Sequence, residues 1–217
     1  MADDPADDKN VVLLRSALAG DESALAALFD GYRDRLRRMI RLRLDRRLSG
    51  RVDTSDVLQD AYLDVRRRIA EYARDPSAMP FHLWLRLVTG QRLTDIHRYH
   101  LGAQMRDAGQ EVSLHRGPFP QASSVSLAAQ LLGKMTSASQ AAIRVEHKLI
   151  VQEALNGMDP IDREVLALRH FEQLTNAEAA RVLQIKQTAA GKRYLRALGR
   201  LREILAQLPG ASSCDGR

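Results

Sequence analysis

Apolar residues recur every three or four positions over most of this chain, which is the spacing of one face of an α-helix. The longest such run lies within residues 21–43 and forms one continuous apolar face. Its members are Leu25, Leu28, Phe29, Tyr32, Leu36, Met39 and Ile40. Similar faces predict further helices at about 11–19, 54–72, 81–100, 142–156, 161–171, 175–183 and 187–201. The pattern therefore predicts an all-α fold.

Residues that begin and end helices stand at the borders of these runs. Gly20 closes the first helix, and Asp21 begins the next. Asp53 or Thr54 caps the helix that runs to about Tyr72. Residues 1–10 carry no such face, and we expect them to be disordered.

A change of composition at 111–141 divides the chain into two helical domains joined by a flexible linker. The linker contains Gly117, Pro118, Pro120, Ser113, Ser123, Ser124, Ser126, Ser137 and Ser139. Such residues are typical of linkers, although its stretch VSLAAQLLGKM can form one short amphipathic helix. The predicted segments are 1–20 (acidic tail and short helix), 21–110, the linker 111–141, a four-helix domain at 142–208, and a polar tail at 209–217.

Composition agrees with helices and suggests a polyanionic partner. Aromatic residues make up only 5%, and the formal net charge is +6 with a pI near 9.8. A basic balance suits nucleic acid. The arginines between 33 and 43 either cover a nucleic-acid backbone or form a solvated face.

Other features exclude several classes of protein. The only cysteine, Cys214, fits a reducing compartment. The N-terminus resembles no signal peptide, and no apolar run approaches the ~20 residues that span a bilayer. We expect a cytoplasmic protein that does not enter the membrane. No nucleophile–base pair or phosphate-binding glycine loop is present, and His97 and His100 lack further ligands. We therefore predict no enzyme activity, cofactor or metal site.

The stretch 174–198 reads as a helix, a tight turn and a longer basic helix. Thr175 and Glu178 form a capping box, and Gln184 lies in the turn. One face of the second helix carries Lys192, Arg193, Arg196 and Arg200. A helix–turn–helix with a basic second helix suits the DNA major groove. The alternative is an ordinary helical hairpin with a solvated cationic face.

Two N-terminal segments also carry candidate binding residues. Asp56, Asp60 and Asp64 form an acidic stripe, with Gln59 beside it, that either binds a cationic partner or is relieved by Arg67 and Arg68 within the same helix. The segment 81–100 combines basic side chains with aromatic rings, which suits single-stranded nucleic acid. Alternatively Phe81, Trp84 and Tyr99 are core residues.

Three of these segments, in this order, resemble a bacterial RNA polymerase sigma factor of the extracytoplasmic-function (ECF) group of the sigma-70 family. DVLQDAYLDV resembles the helix that binds core polymerase, and FHLWLRLVTGQRLTDIHR resembles the segment that melts and reads the downstream promoter element. ALNGMDPIDREVLALRHFEQLTNAEAARVLQI resembles the domain that reads the upstream element. The resemblance covers about 20–110 and 145–205. Gln184 replaces the usual turn glycine, Lys186 the usual serine cap, and Gly191 lies within the second helix.

The resemblance implies partners and site residues. Core RNA polymerase would contact Asp56, Gln59, Asp60 and Asp64. The melted downstream strand would contact Arg86, Gln91, Arg92, Arg98 and Tyr99. Duplex DNA of the upstream element would contact Gln187, Thr188, Lys192, Arg193 and Arg196. An anti-sigma protein, or a kinase acting on the linker, is a further expected partner.

Two other functions remain open from the sequence. One is a conventional helix–turn–helix regulator that binds operator DNA without polymerase. The other is a helical protein that holds a partner through its acidic stripe and never touches DNA.

Overall fold

The computed structural model describes residues 5–48, 50–108, 120–133 and 141–206, and helices joined by short turns make up these ranges. No strand occurs among them. Two compact units divide the chain, Met1–Pro120 and Gln121–Arg217. The prediction of an all-α fold with two helical domains is confirmed.

The first unit is built around its second helix. Its elements are α1 (Pro5–Leu18), α2 (Glu22–Arg43), a 3-10 turn (Arg46–Leu48), α3 (Thr54–Tyr72) and α4 (Phe81–Ala108). α2 packs against α1, α3 and α4, and α3 packs against α4. The side chains predicted to line one face of α2 enter this core, where Leu28 and Ile40 are almost fully buried. Burial of this apolar surface is the main force that holds the helices together.

Capping residues set the helix starts as the sequence predicts. The carboxylate of Asp21 accepts hydrogen bonds from the backbone N–H groups of Ser23 (2.9 Å) and Ala24 (3.1 Å). Asp53 accepts one from the N–H of Ser55 at 2.6 Å. Gly20 has φ of 99°, a conformation that glycine adopts without steric cost.

The expectation of disorder over residues 1–10 is wrong for 5–10. These residues begin α1, which packs on α2 and buries Ala17. Residues 1–4 lie outside the described ranges. The short apolar face at 11–18 anchors this helix on α2, and the polar residues before it extend the same helix.

The second unit contains the four predicted helices and one more. Its elements are α5 (Ser124–Gly133), α6 (Ala141–Asn156), α7 (Pro160–Leu166) with a π-helical turn (Ala167–Phe171), α8 (Asn176–Leu183) and α9 (Gln187–Ala206). α9 packs against α6, α7 and α8. Asp159 caps α7 by accepting from the N–H of Ile161 at 2.8 Å.

The linker boundary at 111–141 requires correction, because α5 belongs to the second unit. Leu127, Ala128 and Leu132 are buried, and α5 packs against α6. The backbone N–H of Ala122 donates to the buried carboxylate of Glu164 at 2.9 Å. The amphipathic stretch thus forms the expected helix, but its apolar face is covered by its own domain. Residues 111–119 and 134–140 of this region, and the tail 209–217, lie outside the described ranges.

One predicted core face also differs in the second unit. The sequence places Leu149 and Ile150 of α6 inward, but they are 60% and 38% exposed. Leu155 is buried as predicted, and Val151 is buried in place of the other two. α6 has two apolar stripes of similar strength, and periodicity alone does not select between them. Within the described ranges, no helix has the length and hydropathy needed to cross a membrane.

Candidate functional site

The acidic row on α3 is divided by its surroundings. Asp56 and Gln59 are exposed and Asp60 is half-buried, and among the described residues neither aspartate forms an ion pair. Asp64, in contrast, accepts hydrogen bonds from Arg67 (2.6 Å) and from Arg92 of α4 (2.7 Å). The relief within the helix that the sequence suggested is therefore present at Asp64, which pairs with Arg67, while Asp60 lies near enough to Arg92 to raise its pKa. The assignment of the row to a partner surface stays a prediction, and Asp64 is its least available member.

A groove of about 350 Å³ lies between α2 and α3, beside the unpaired acidic residues. Its apolar wall includes Phe29 and Tyr62, whose rings meet edge to face at 5.2 Å. Gln59, Ser55 and Arg33 line its polar rim. A groove with an apolar wall and a polar rim can receive a side chain of another protein.

The loop before α4 is held by the first unit's aromatic core. The hydroxyl of Tyr72 donates to the carbonyl oxygens of Met79 (3.0 Å) and Pro76 (3.3 Å). Tyr72 also contacts Phe81 and Trp84, with ring centroids 5.4 and 5.0 Å away. Phe81 and Trp84 are buried, so the interpretation of these two rings as core residues is correct.

Tyr99 behaves differently from the other aromatic residues of α4. Its side chain is 78% exposed. Arg98 beside it is also exposed and lies 3.9 Å from Asp95, which is a loose ion pair. An exposed ring next to an available guanidinium can stack on a base and pair with a phosphate.

The other three residues predicted for this surface serve the fold. Arg86 is 4% exposed, because the first half of α4 is buried on nearly all sides. Gln91 accepts a hydrogen bond from Arg68 at 2.6 Å. The hydrogen bond from Arg92 to Asp64 raises the pKa of Arg92. These contacts tie α4 to its own unit, and the assignment of the three residues to a strand-binding surface stays a prediction.

The predicted capping box and turn are present in the second unit. The N–H of Glu178 donates to the hydroxyl of Thr175 at 3.2 Å, and the N–H of Thr175 donates to the carboxylate of Glu178 at 2.7 Å. Gln184 adopts the left-handed conformation, with φ of 55° and ψ of 38°. The expectation that a non-glycine residue occupies a left-handed turn is confirmed.

The side chain of Asn176 supports the start of α9. Its Nδ2 donates to the carbonyl oxygen of Gln187 at 2.9 Å. A Cβ at position 191 would lie 3.4 Å from the same Nδ2, so Gly191 lies in close contact with this bond. The bond joins α8 to α9, and the sequence pattern did not predict it.

The basic residues of α9 do not share one environment. Gln187, Thr188, Lys192 and Arg196 are exposed. Arg193 is turned towards α7, where its Nη1 donates to Asp162 at 2.5 Å and to Asp159 at 3.3 Å. The bond to Asp162 raises the pKa of Arg193. The prediction that Arg193 contacts DNA stays a prediction, and in this structure its guanidinium pairs with two aspartates at the start of α7, a contact that their distance in sequence hides.

Comparisons with known proteins bear on both units. Residues 148–201, which include α7, α8 and most of α9, match the family model described as "Sigma-70, region 4". No curated protein sequence matches the chain significantly.

Solved structures that match this chain include three whose matches cover between 86% and 91% of it. The structure of CnrH in complex with the cytosolic domain of CnrY is 19% identical, with a TM-score of 0.54 over 91% of this chain and 97% of that one. The sigma factor RpoE in complex with the anti-sigma factor NepR from Bartonella quintana is 17% identical, with a TM-score of 0.46 over 86% and 96%. The RsbN–BldN complex is 20% identical, with a TM-score of 0.30 over 88% and 99%. The likeness to CnrH shows a shared fold.

Proposed function

We propose that this chain, whose residues 148–201 match sigma-70 region 4, is an ECF-group sigma factor that binds core RNA polymerase and directs promoter recognition and transcription initiation. In this role it is a specificity subunit without catalytic activity of its own. It acts where the polymerase and the chromosome are, so we place it in the cytoplasm.

One observation carries this proposal. The segment that matches sigma-70 region 4 contains the helix–turn–helix, and α9 presents Gln187, Thr188 and Lys192 to solvent. The N-terminal turns of such a helix are the part that reaches base edges. The unit therefore has both the family's sequence and a free surface of the required chemistry.

The test is reconstitution with core RNA polymerase. We expect the chain to co-purify with core enzyme and to direct run-off transcription from a subset of genomic fragments. A chain that binds duplex DNA tightly by itself and ignores core enzyme would instead be an operator-binding regulator. A chain whose binding to heparin and DNA is insensitive to salt would be a protein-binding module.

We assign the polymerase contact to Asp56, Gln59 and Asp60, together with the neighbouring groove. The two carboxylates lack ion-pair partners among the described residues, and a basic helical surface on the polymerase would supply them. Asp60→Arg should weaken core binding with little change in melting temperature. Asp34→Arg is the matched control, because Asp34 is an exposed carboxylate of α2 held only by a 3.4 Å pair with Arg37. Equal core binding by parent and Asp60→Arg would refute the assignment.

We assign contacts with the melted strand to Arg98 and Tyr99. Arg86, Gln91 and Arg92 support this surface from within the unit. This assignment is narrower than the set of five residues that the sequence suggested. Of those five, Arg98 and Tyr99 are the exposed ones, so they can present a guanidinium and a ring to solvent.

A protein of the anti-sigma class is a further proposed partner. CnrH, which shares this fold, was solved with the cytosolic domain of CnrY. A kinase acting on the 111–141 segment would find the hydroxyl of Ser124 already donating to Asn156 at 2.6 Å, so Ser124 is a poor target. Co-purification from cells, followed by competition with core enzyme, tests for the inhibitor.

A further inference from the structure

Asp162 is a buried carboxylate in the first turn of α7, with a side chain only 4% exposed. A buried carboxylate is stable only when charged or polar groups pair with it. Its two oxygens accept from Arg193 Nη1 at 2.5 Å and from Arg196 Nη1 at 3.4 Å. Both arginines lie on α9, so this ion-pair cluster joins α7 to the helix that carries Gln187 and Thr188.

The two arginines differ in how much of each side chain the ion-pair cluster leaves exposed to solvent. The side chain of Arg196 is 66% exposed and is held by one long contact, so most of its guanidinium faces solvent. The side chain of Arg193 is 27% exposed and contacts two carboxylates, because Asp159 also accepts from it at 3.3 Å. Asp159 is at the same time the N-cap of α7. Arg193 is thus bound inside its own domain.

We infer that Asp162 is a positioning residue for the DNA-reading helix, and that it withholds Arg193 from the DNA phosphates. This inference rests on the proposed DNA-binding function of α9. The Asp162–Arg193 ion pair sets the orientation of α9 against α7, and Arg193 thereby links the two helices. Base contacts then fall to Gln187 and Thr188, with Lys192 and Arg196 left for phosphates.

The chemistry of DNA binding gives this arrangement a consequence for specificity. A guanidinium that pairs with phosphate attracts any sequence, because the phosphate backbone is the same everywhere. A released Arg193 would add such a contact on unrelated DNA, where no base contact fixes how the helix docks. By neutralising Arg193, Asp162 lowers sequence-independent binding of a basic protein.

The experiment measures the salt dependence of DNA binding by the full-length chain. The probe is a labelled mixed-sequence duplex, titrated between about 50 and about 200 mM KCl, where each phosphate contact contributes roughly 0.9 to the slope of log affinity against log salt. Lys192→Ala should reduce the slope by roughly one, because Lys192 is exposed and free to contact phosphate. Arg193→Gln should leave the slope unchanged.

Asp162→Asn should increase the slope by roughly one and tighten binding to the probe, because it frees Arg193 for a phosphate. The double variant Asp162→Asn/Arg193→Gln should return the slope to the parental value. A purely structural role for Asp162 would lower the melting temperature without increasing the slope. Asp159→Asn is the milder variant if Asp162→Asn does not fold, since asparagine retains the cap; it should raise the slope by less.

Two further results would overturn the inference. If Arg193→Gln lowers the slope as much as Lys192→Ala does, Arg193 is a DNA contact, and the proposed function still stands. If the slope stays at the parental value in every variant, Lys192→Ala included, α9 does not touch DNA, and the proposed function of this helix fails together with the inference.

Discussion

Gln184 occupies the turn between α8 and α9 in the left-handed region, where its Cβ crowds the backbone. Glycine lacks this Cβ and is common after helix C-termini for that reason. Gln184→Gly should therefore raise the free energy of unfolding by about 0.5–1 kcal/mol, the relief being partly offset by glycine's larger entropy in the unfolded chain. Urea denaturation followed by circular dichroism measures the change.

The matched control is Gln152→Gly, which places the same substitution inside α6. There we expect a loss of about 1 kcal/mol, because glycine weakens a helix interior. If both variants lose stability equally, the left-handed turn is not strained.

His97 is a half-buried base that joins α4 to the residues after α2. Its Nε2 accepts the backbone N–H of Asp45 at 3.3 Å, so the ring is neutral in this arrangement. Burial lowers the pKa of His97 below its ordinary value of 6.5, Arg47 lowers it further, and Asp45 opposes them. The unfolded chain therefore takes up this proton first, and stability is lost as pH falls below about 6.5 towards the folded-state pKa.

His97→Gln should flatten this part of the pH profile, since glutamine can accept the same N–H but does not titrate. Melting temperatures at about pH 5.5 and about pH 7.5 would show it as a smaller difference than in the parent. His170→Gln is the control, because His170 is exposed on the second unit. An equal flattening in the control would show that His97 does not carry the effect.

Among the helices, α5 differs most from its prediction. The sequence placed it in the linker, and the structure packs it in the second unit. Leu127 is fully buried against the second unit, whereas Leu149 of α6 is 60% exposed. Leu127→Ala should cost about 2–5 kcal/mol, because it leaves a cavity in a packed core. Leu149→Ala, the same substitution on the surface, should stay within about 0.5 kcal/mol.

Thermal melting of both full-length variants tests this contrast. We expect the Leu127→Ala variant to melt clearly below the parent and Leu149→Ala to melt close to it. Similar melting temperatures for the two variants would show that α5 does not stabilise the second unit, and would return 120–133 to the linker.

The sequence predicted helices well where one face is buried and the caps are local. Asp21, Asp53 and the Thr175–Glu178 box depend only on neighbours in sequence, and all three are confirmed. α4 shows why the exposure of individual side chains was not predictable: its first half is buried on almost every side, so no polar face marks which side chains reach solvent. Arg86 therefore looked like a ligand contact.

The ion pairs between side chains of different helices were likewise not predictable from the sequence. Asp64 reaches Arg92 on α4, and Asp162 reaches Arg193 on α9, although each pair is far apart along the chain. Periodicity reports whether a charged residue avoids the core, and it does not report which charge from another helix meets it. The sequence thus identified the candidate surfaces, and tertiary ion pairs removed individual residues from them.

For the molecule as a whole, the two units carry two different kinds of proposed nucleic-acid surface. Tyr99 in the first unit is an exposed ring suited to an unpaired base, and Gln187 in the second unit lies at the start of a helix suited to duplex DNA. Joining both on one chain raises the effective concentration of the second contact once the first has formed.

This division predicts that the two residues act on different steps of initiation. In reconstituted holoenzyme, Tyr99→Ala should lose a stacking contact that contributes roughly 1–3 kcal/mol per base, and so should reduce permanganate-detected opening more than closed-complex formation. Tyr99→Phe keeps the ring and should behave like the parent. Gln187→Ala should weaken closed-complex formation and leave the opening step nearly unchanged. Because the two residues belong to separate units, their free-energy effects should add in the double variant within about 0.5 kcal/mol. A double variant no worse than Tyr99→Ala alone would mean that the units do not read one promoter independently.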